Sequence, residues 1–254
     1  MIALRTAREI EKIRESCRIV HEALHLAGSI VGPGLSTEEI DRALDGFIRE
    51  QGGVPSFKGY RGYPASTCVS VNDEVVHGIP SDRRLADGDI VSVDVGVVKS
   101  GYHGDAARTF VVGAIAPETE RLLAVTREAL LRGIEAARPG NRIGDISNAV
   151  QRCVEENKFA VVRALVGHGI GRQMHEEPPV PNYGKPGTGP MLSAGMVLAI
   201  EPMVNAGGWD VVTLDDGWTI VTKDHSLSAH FEHTIAVTEG GPVILTGGDS
   251  GGAR

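Results

Sequence analysis

The chain resembles itself at a nearly constant offset, and this restricts the architectures open to it. ProGlyLeuSerThrGluGluIle at 33–40 is matched by ProGlyAsnArgIleGlyAspIle at 139–146, an offset of 106 residues. GlyAspIleValSerValAsp at 88–94 is matched by GlyMetValLeuAlaIleGlu at 195–201, an offset of 107. In the first pair a Pro-Gly turn starts a helix-like segment. In the second a Gly turn feeds a β-rich run that ends on a carboxylate. Two matches at one spacing point to duplicated halves, each supplying one acidic strand.

Periodicity fills in the rest. Residues 5–27 and 118–138 carry apolar positions at helical spacing, as in Ile10, Ile13, Cys17, Val20 and Leu24. Residues 36–51 and 143–157 read as the second helix of each half, with Ser36 or Thr37 as N-cap. Strands are predicted at 67–72, 89–98, 107–113, 161–166, 196–204, 211–214, 218–223 and 231–238, where Val, Ile and Thr concentrate. The 178–190 stretch, with five prolines and three glycines, reads as loop, and the Gly-rich tail 247–254 as disordered. Helices alternate with antiparallel hairpins, which makes the class α+β. No internal linker divides the chain, so residues 1–254 are read as one catalytic-sized domain.

Composition narrows the setting. A net charge of −8 gives no electrostatic footprint for nucleic acid or an anionic membrane. The N-terminus is charged and amphipathic rather than a signal sequence, and no apolar run reaches bilayer length. Cys17, Cys68 and Cys153 are odd in number and lack a CxxC spacing, which fits a reducing, cytoplasmic compartment.

Five side chains stand out against this background: Asp94, Asp105, His168, Glu201 and Glu232. An Asp inside the apolar run ValSerValAspVal needs a partner or a metal, because an unpaired buried charge is costly. Asp105 follows on the far side of a turn, so a hairpin can bring both acids together. Each has an ordinary alternative. Asp94 could cap a turn, Asp105 could pair with Arg108, and Glu201 and Glu232 could pair with a Lys or Arg elsewhere. His168 lies in GlyHisGlyIleGly, read as a glycine-rich loop that permits close backbone approach to a ligand. Four carboxylates and an imidazole suit a pair of divalent cations rather than one thiolate-held zinc. The remaining histidines at 21, 25, 103, 225, 230 and 233 receive no role.

Several stretches together carry a family resemblance. They are SerValAsnAspGluValValHisGlyIlePro (70–80), AspGlyAspIleValSerValAspVal (87–95), HisGlyAspAlaAlaArgThr (103–109) and GlyHisGlyIleGlyArg (167–172). HisGluGluPro (175–178), IleGluProMetValAsn (200–205), AspGlyTrpThr (216–219) and GluHisThr (232–234) complete the set. Over roughly residues 3–246 the chain resembles the type I methionine aminopeptidases of the pita-bread fold. That resemblance implies pseudo-twofold halves with a central antiparallel sheet covered by helices.

The resemblance also implies a site. Asp94, Asp105 and Glu232 would hold one metal and Asp105, His168, Glu201 and Glu232 the other, drawn from Co, Mn, Fe or Zn. A metal-bridging water or hydroxide would attack the first peptide carbonyl, with Glu201 as proton acceptor. His175 would donate to the oxyanion and His77 would contact the scissile amide nitrogen. Phe57, Tyr60, Tyr63, Cys68, Met174 and Trp218 would form the methionine pocket. Phe57 and the GlnMetHis at 173–175 depart from the commoner family pattern. Backbone carbonyls near Asn72, Glu74 and Ser228 would hold a monovalent cation. The implied substrate is the N-terminal Met of nascent polypeptides before a small second residue, the implied partner the ribosome surface, and the implied state a monomer. Two rivals share the fold: a Xaa-Pro peptidase, and a peptide-binding module that has lost its metals.

Overall fold

In each half of the repeat a pair of helices lies on three antiparallel strands. This is seen in a computed structural model that describes residues 2–247. Helix α1 (Ala7–Ile30) opens on a capping box in which Thr6 accepts from Glu9 N and the Glu9 carboxylate accepts from Thr6 N. Ser36 and Glu39 make the same box at α2 (Thr37–Glu50), so Ser36 is the N-cap. Both boxes satisfy N–H groups that a helix start otherwise leaves without partners. The first half then adds β1 (Val54–Pro55), β2 (Cys68–Val71), β3 (Glu74–Val76), β4 (Ile90–Lys99) and β5 (Tyr102–Val111). β4 pairs with β5 along one edge and with β1 and β2 along the other.

The second half repeats the unit. Helices α3 (Pro117–Ala136) and α4 (Ile143–Glu156) precede β6 (Ala160–Val161), β7 (Val166–Gly169), β8 (Glu176–Pro181) and β9 (Val197–Ile200). They are followed by β10 (Met203–Asn205), β11 (Val211–Thr213), β12 (Ile220–Thr222), β13 (Ser228–His230), β14 (His233–Thr238) and β15 (Gly241–Ile244). The order β7–β9–β14 reproduces β2–β4–β5, flanked by β8 and β15. Burial explains the helix cover. Ile19, Val20, Leu44 and Ile48 pack on Val91 and Val93, while Leu122, Ile146 and Val150 pack with Leu198, Ile200 and Ile235. Among the described residues no helix is long and apolar enough to cross a membrane.

The halves are stitched at β5. Glu232 N donates to Ala107 O at 2.9 Å, and Thr234 Oγ1 donates to Asp105 O at 2.7 Å. Thr109 Oγ1 donates to His230 O at 2.9 Å. These bonds set the acids of one half against those of the other.

Four sequence expectations change. GlyHisGlyIleGly is not loop, since Val166–Gly169 is strand β7. Its glycines serve close packing: a Cβ on Gly167 would lie 2.4 Å from Ala199 O, and one on Gly169 2.3 Å from Glu177 O. The start of 178–190 is strand β8 despite its prolines, because β8 is an edge strand paired only to β7. The predicted strands 196–204 and 161–166 each split. Pro202 has no N–H to offer the ladder, so β9 parts from β10, and their partners β7 and β6 part likewise. Of the tail expected to be disordered, residues 248–254 lie outside the described residues.

Candidate metal centre and its cavity

Register alone brings Asp94 and Asp105 to one face. Asp94 pairs with Ala107 and Gly96 with Asp105, so the two carboxylates are diagonal neighbours on the β4–β5 hairpin. From the other half, His168 pairs with Ala199 on β9, while Glu201 and Glu232 sit one step beyond the β9–β14 ladder that ends at Ile200 and His233. His168 Nε2 lies 4.0 Å from Asp105 Oδ2 and 3.6 Å from Glu201 Oε1. Donor atoms of Asp105, His168 and Glu232 all fall within 4.8 Å of one another.

The electrostatics of this cluster are those of a cation site. Burial first, then mutual repulsion, raises Asp105, Glu201 and Glu232 well above the usual carboxylate range, and burial raises Asp94. Asp94 Oδ1, Asp105 Oδ1 and Glu232 Oε1 are buried with no hydrogen-bond partner. The ordinary alternatives fail on geometry. Arg108 lies over the Phe110 ring, 5.2 Å from its centroid. Among the described residues the ion-pair contacts of these acids are to His168 and His230, not to Lys or Arg. Gly169 O lies 2.9 Å from His168 Nδ1, so that nitrogen carries the proton and Nε2 presents a lone pair. Burial lowers His168 to about 4, which keeps it neutral. Hard oxygen donors, one imidazole and unsatisfied buried oxygens fit divalent metal ions.

A cavity of about 160 Å³ opens on this cluster. Every residue expected of the site lines it: Asp94, Asp105, His168, Glu201 and Glu232 at one end, His77 and His175 beside them, and Phe57, Tyr60, Tyr63, Cys68, Met174 and Trp218 around the rest. Gly96 makes the apolar end possible, because a Cβ there would meet Phe57 at 2.7 Å and Met174 at 3.1 Å. The two departures from the family pattern therefore pack over one glycine. Burial pushes the Cys68 thiol well up, so it is held protonated rather than poised as a nucleophile.

The two cavity histidines are held differently. His77 has φ 60°, a left-handed conformation that a non-glycine residue adopts at a cost. Nearby, Tyr63 Oη donates to Gly78 O at 2.9 Å. His175 stands at the exposed mouth, its ring 4.2 Å from that of His168, with Nδ1 2.8 Å from Tyr60 Oη. Desolvation on its packed side, then His168 and Arg61, hold His175 below its ordinary value.

Two residues escape a sequence reading. Arg61 lines the cavity from a left-handed position, and nothing in its local sequence marks it. His230 is buried beside Glu201, its Nε2 3.8 Å from Oε2. A usable signal existed: His230 and Glu232 are two apart in a β-rich run, and period-two alternation turns both to one side.

Residues 11–239 match metallopeptidase family M24. The chain is 55% identical to a methionine aminopeptidase of Clostridium perfringens, over 97% of its own length and 99% of that protein. Its fold matches the methionine aminopeptidase of Rickettsia prowazekii with a TM-score of 0.96 and 42% identity, covering 97% of this chain and 100% of that one. The prolidase from Pyrococcus furiosus is more distant, with a TM-score of 0.78, 25% identity and 65% of its chain covered.

Proposed function

The chain belongs to metallopeptidase family M24, and from that premise we propose that it removes the N-terminal methionine of newly made proteins when the second residue is small. The observation that carries this reading is one cavity with two ends. Apolar Phe57, Met174 and Trp218 face a thioether-sized space, and a carboxylate cluster closes it.

Asp94, Asp105 and Glu232 would hold one divalent cation, and Asp105, His168, Glu201 and Glu232 a second, Asp105 and Glu232 serving both. Bound cations make water nucleophilic at neutral pH and stabilise negative charge on oxygen. Glu201 takes the proton of the attacking water on its carboxylate. His175 donates from Nε2 to the carbonyl oxygen as charge develops there. Tyr60 Oη, 2.8 Å from Nδ1, supports that role by orienting the ring; in the tautomer this role needs, the hydroxyl donates to Nδ1 and the proton sits on Nε2. His77 contacts the scissile amide nitrogen, and the fixed backbone at Gly78 supports its placement. The donor set accepts Co, Mn, Fe or Zn.

Ser228 N donates to Asn72 O at 2.9 Å, which draws together the carbonyls that, with those near Glu74, would hold a monovalent cation. The two halves act as one catalytic domain, a cytoplasmic monomer working on nascent chains near the ribosome surface.

Release of Met from synthetic peptides, with and without added cobalt or manganese, tests the reading. Metal-dependent cleavage of Met-Ala-Ser, with little cleavage of Met-Lys-Ser, is the expected result. Preference for Xaa-Pro peptides would assign the prolidase activity instead. No turnover with any metal would leave a binding module.

A further inference from the structure

We propose that His230 is a positioning residue for Glu201, its Nε2–H holding the carboxylate oxygen that the metal side leaves free. The inference rests on the reading of Glu201 as both ligand and proton acceptor.

Glu201 lies between two imidazoles, one for each oxygen. Oε1 is 3.6 Å from His168 Nε2, and Oε2 is 3.8 Å from His230 Nε2. His168 has its proton on Nδ1, toward Gly169 O, so its Nε2 offers a lone pair and marks the metal side. Oε2 is then the oxygen left to receive a proton. A carboxylate with two duties needs its oxygens distinguished, and a donor on one of them does this.

His230 is built to be that donor. It is 1% exposed, and its Nε2 is buried with no hydrogen-bond partner among the described residues. Buried polar atoms without partners are rare and call for a reason. The backbone does not let the ring drift: His230 N donates to Thr109 Oγ1 and His230 O accepts from the same hydroxyl, both at 2.9 Å. On β13 it faces Met203, two residues beyond Glu201. An ionised carboxylate, the form a ligand and proton acceptor must have, can only accept, so the facing nitrogen must carry the hydrogen. Movement of less than about 1 Å brings the pair into the 2.7–3.2 Å range of such a bond.

Two experiments on the full chain test this. The first is calorimetric titration of Mn²⁺ into wild type, His230→Leu and His230→Gln, with kcat and KM on Met-Ala-Ser and Tm for each. His230→Leu is expected to lower kcat and Mn²⁺ affinity by about 10- to 100-fold, the usual effect of losing a ligand's supporting hydrogen bond. KM should stay within about twofold, since the donor does not touch the methionine side chain. Gln, which keeps an N–H donor, should recover most of both losses at a Tm equal to that of the Leu variant. The proposal is overturned if Leu keeps wild-type kcat and Mn²⁺ affinity. It is equally overturned if Gln is as impaired as Leu while both melt like wild type. The second needs no variant: ¹⁵N NMR of wild type with saturating diamagnetic Zn²⁺, where Glu201 is held ionised, should show His230 as the Nε2–H tautomer, and Nδ1–H with a bare Nε2 contradicts it. Failure of wild type to release Met would refute the peptidase reading, while the affinity and tautomer results would still decide the His230–Glu201 contact.

Discussion

His175→Ala is expected to lower kcat by about 10²–10³ with metal content unchanged, the typical effect of losing one oxyanion donor. Stopped assays on Met-Ala-Ser beside metal analysis of the same sample check it, and full activity contradicts the role. Tyr60→Phe should cost about tenfold in kcat, because His175 Nδ1 then loses the hydroxyl that orients the ring. At this scale the sequence was most legible where a residue type was out of place. Asp94 within ValSerValAspVal demanded an explanation, and the structure places its Oδ1 buried and unpartnered. His230 was legible only in part: its two-residue spacing from Glu232 was a signal, but its neighbour Glu201 is met only across space. Arg61 was hidden for a related reason: its place in the cavity comes from a turn, and turns leave no periodicity.

The elements depend on short local rules and on contacts that those rules cannot see. Ser36→Ala removes the side-chain half of the α2 capping box and should cost about 1 kcal/mol in urea unfolding. No loss of stability would mean that water replaces the cap. Gly167→Ala drives a Cβ to 2.4 Å from Ala199 O, a backbone atom that cannot step aside. Overpacking of this kind costs about 1–3 kcal/mol, and the shift of β7 should also weaken metal binding through His168. The helices were legible because apolar spacing, and at α2 the Ser-Thr-Glu-Glu start, are local. β7 was not, since its glycines look like loop in sequence and become strand only against Ala199 and Glu177. Pro202 is the opposite case: a local breaker divides a run of apolar residues that looked continuous.

Across the whole molecule, the repeat turns four acids that are remote in sequence into one site at the β5–β14 seam. Its halves were legible from two short matches; the seam was not, because Thr109, Thr234 and Ala107 join it through bonds that follow no motif. The cost of the site appears without metal. Asp94, Asp105, Glu201 and Glu232 all have folded pKa values raised above their unfolded ones. Their charged forms are therefore penalised in the fold, and metal-free protein loses stability as pH rises through those raised values. Acidification toward the ordinary carboxylate range should raise its Tm, until other groups titrate. A saturating divalent cation at neutral pH should raise Tm as well, by mass action on the folded state alone.

Two cations held by the seam carboxylates would carry the release of methionine. The most direct test titrates chelator-treated protein with Mn²⁺ under anaerobic conditions, following bound metal and Met release from Met-Ala-Ser in the same samples. Activity absent in chelator, restored as two equivalents bind, and lost in Glu232→Gln together with that binding is the predicted result. Undiminished Met release in chelator, or in Glu232→Gln without bound metal, would contradict it.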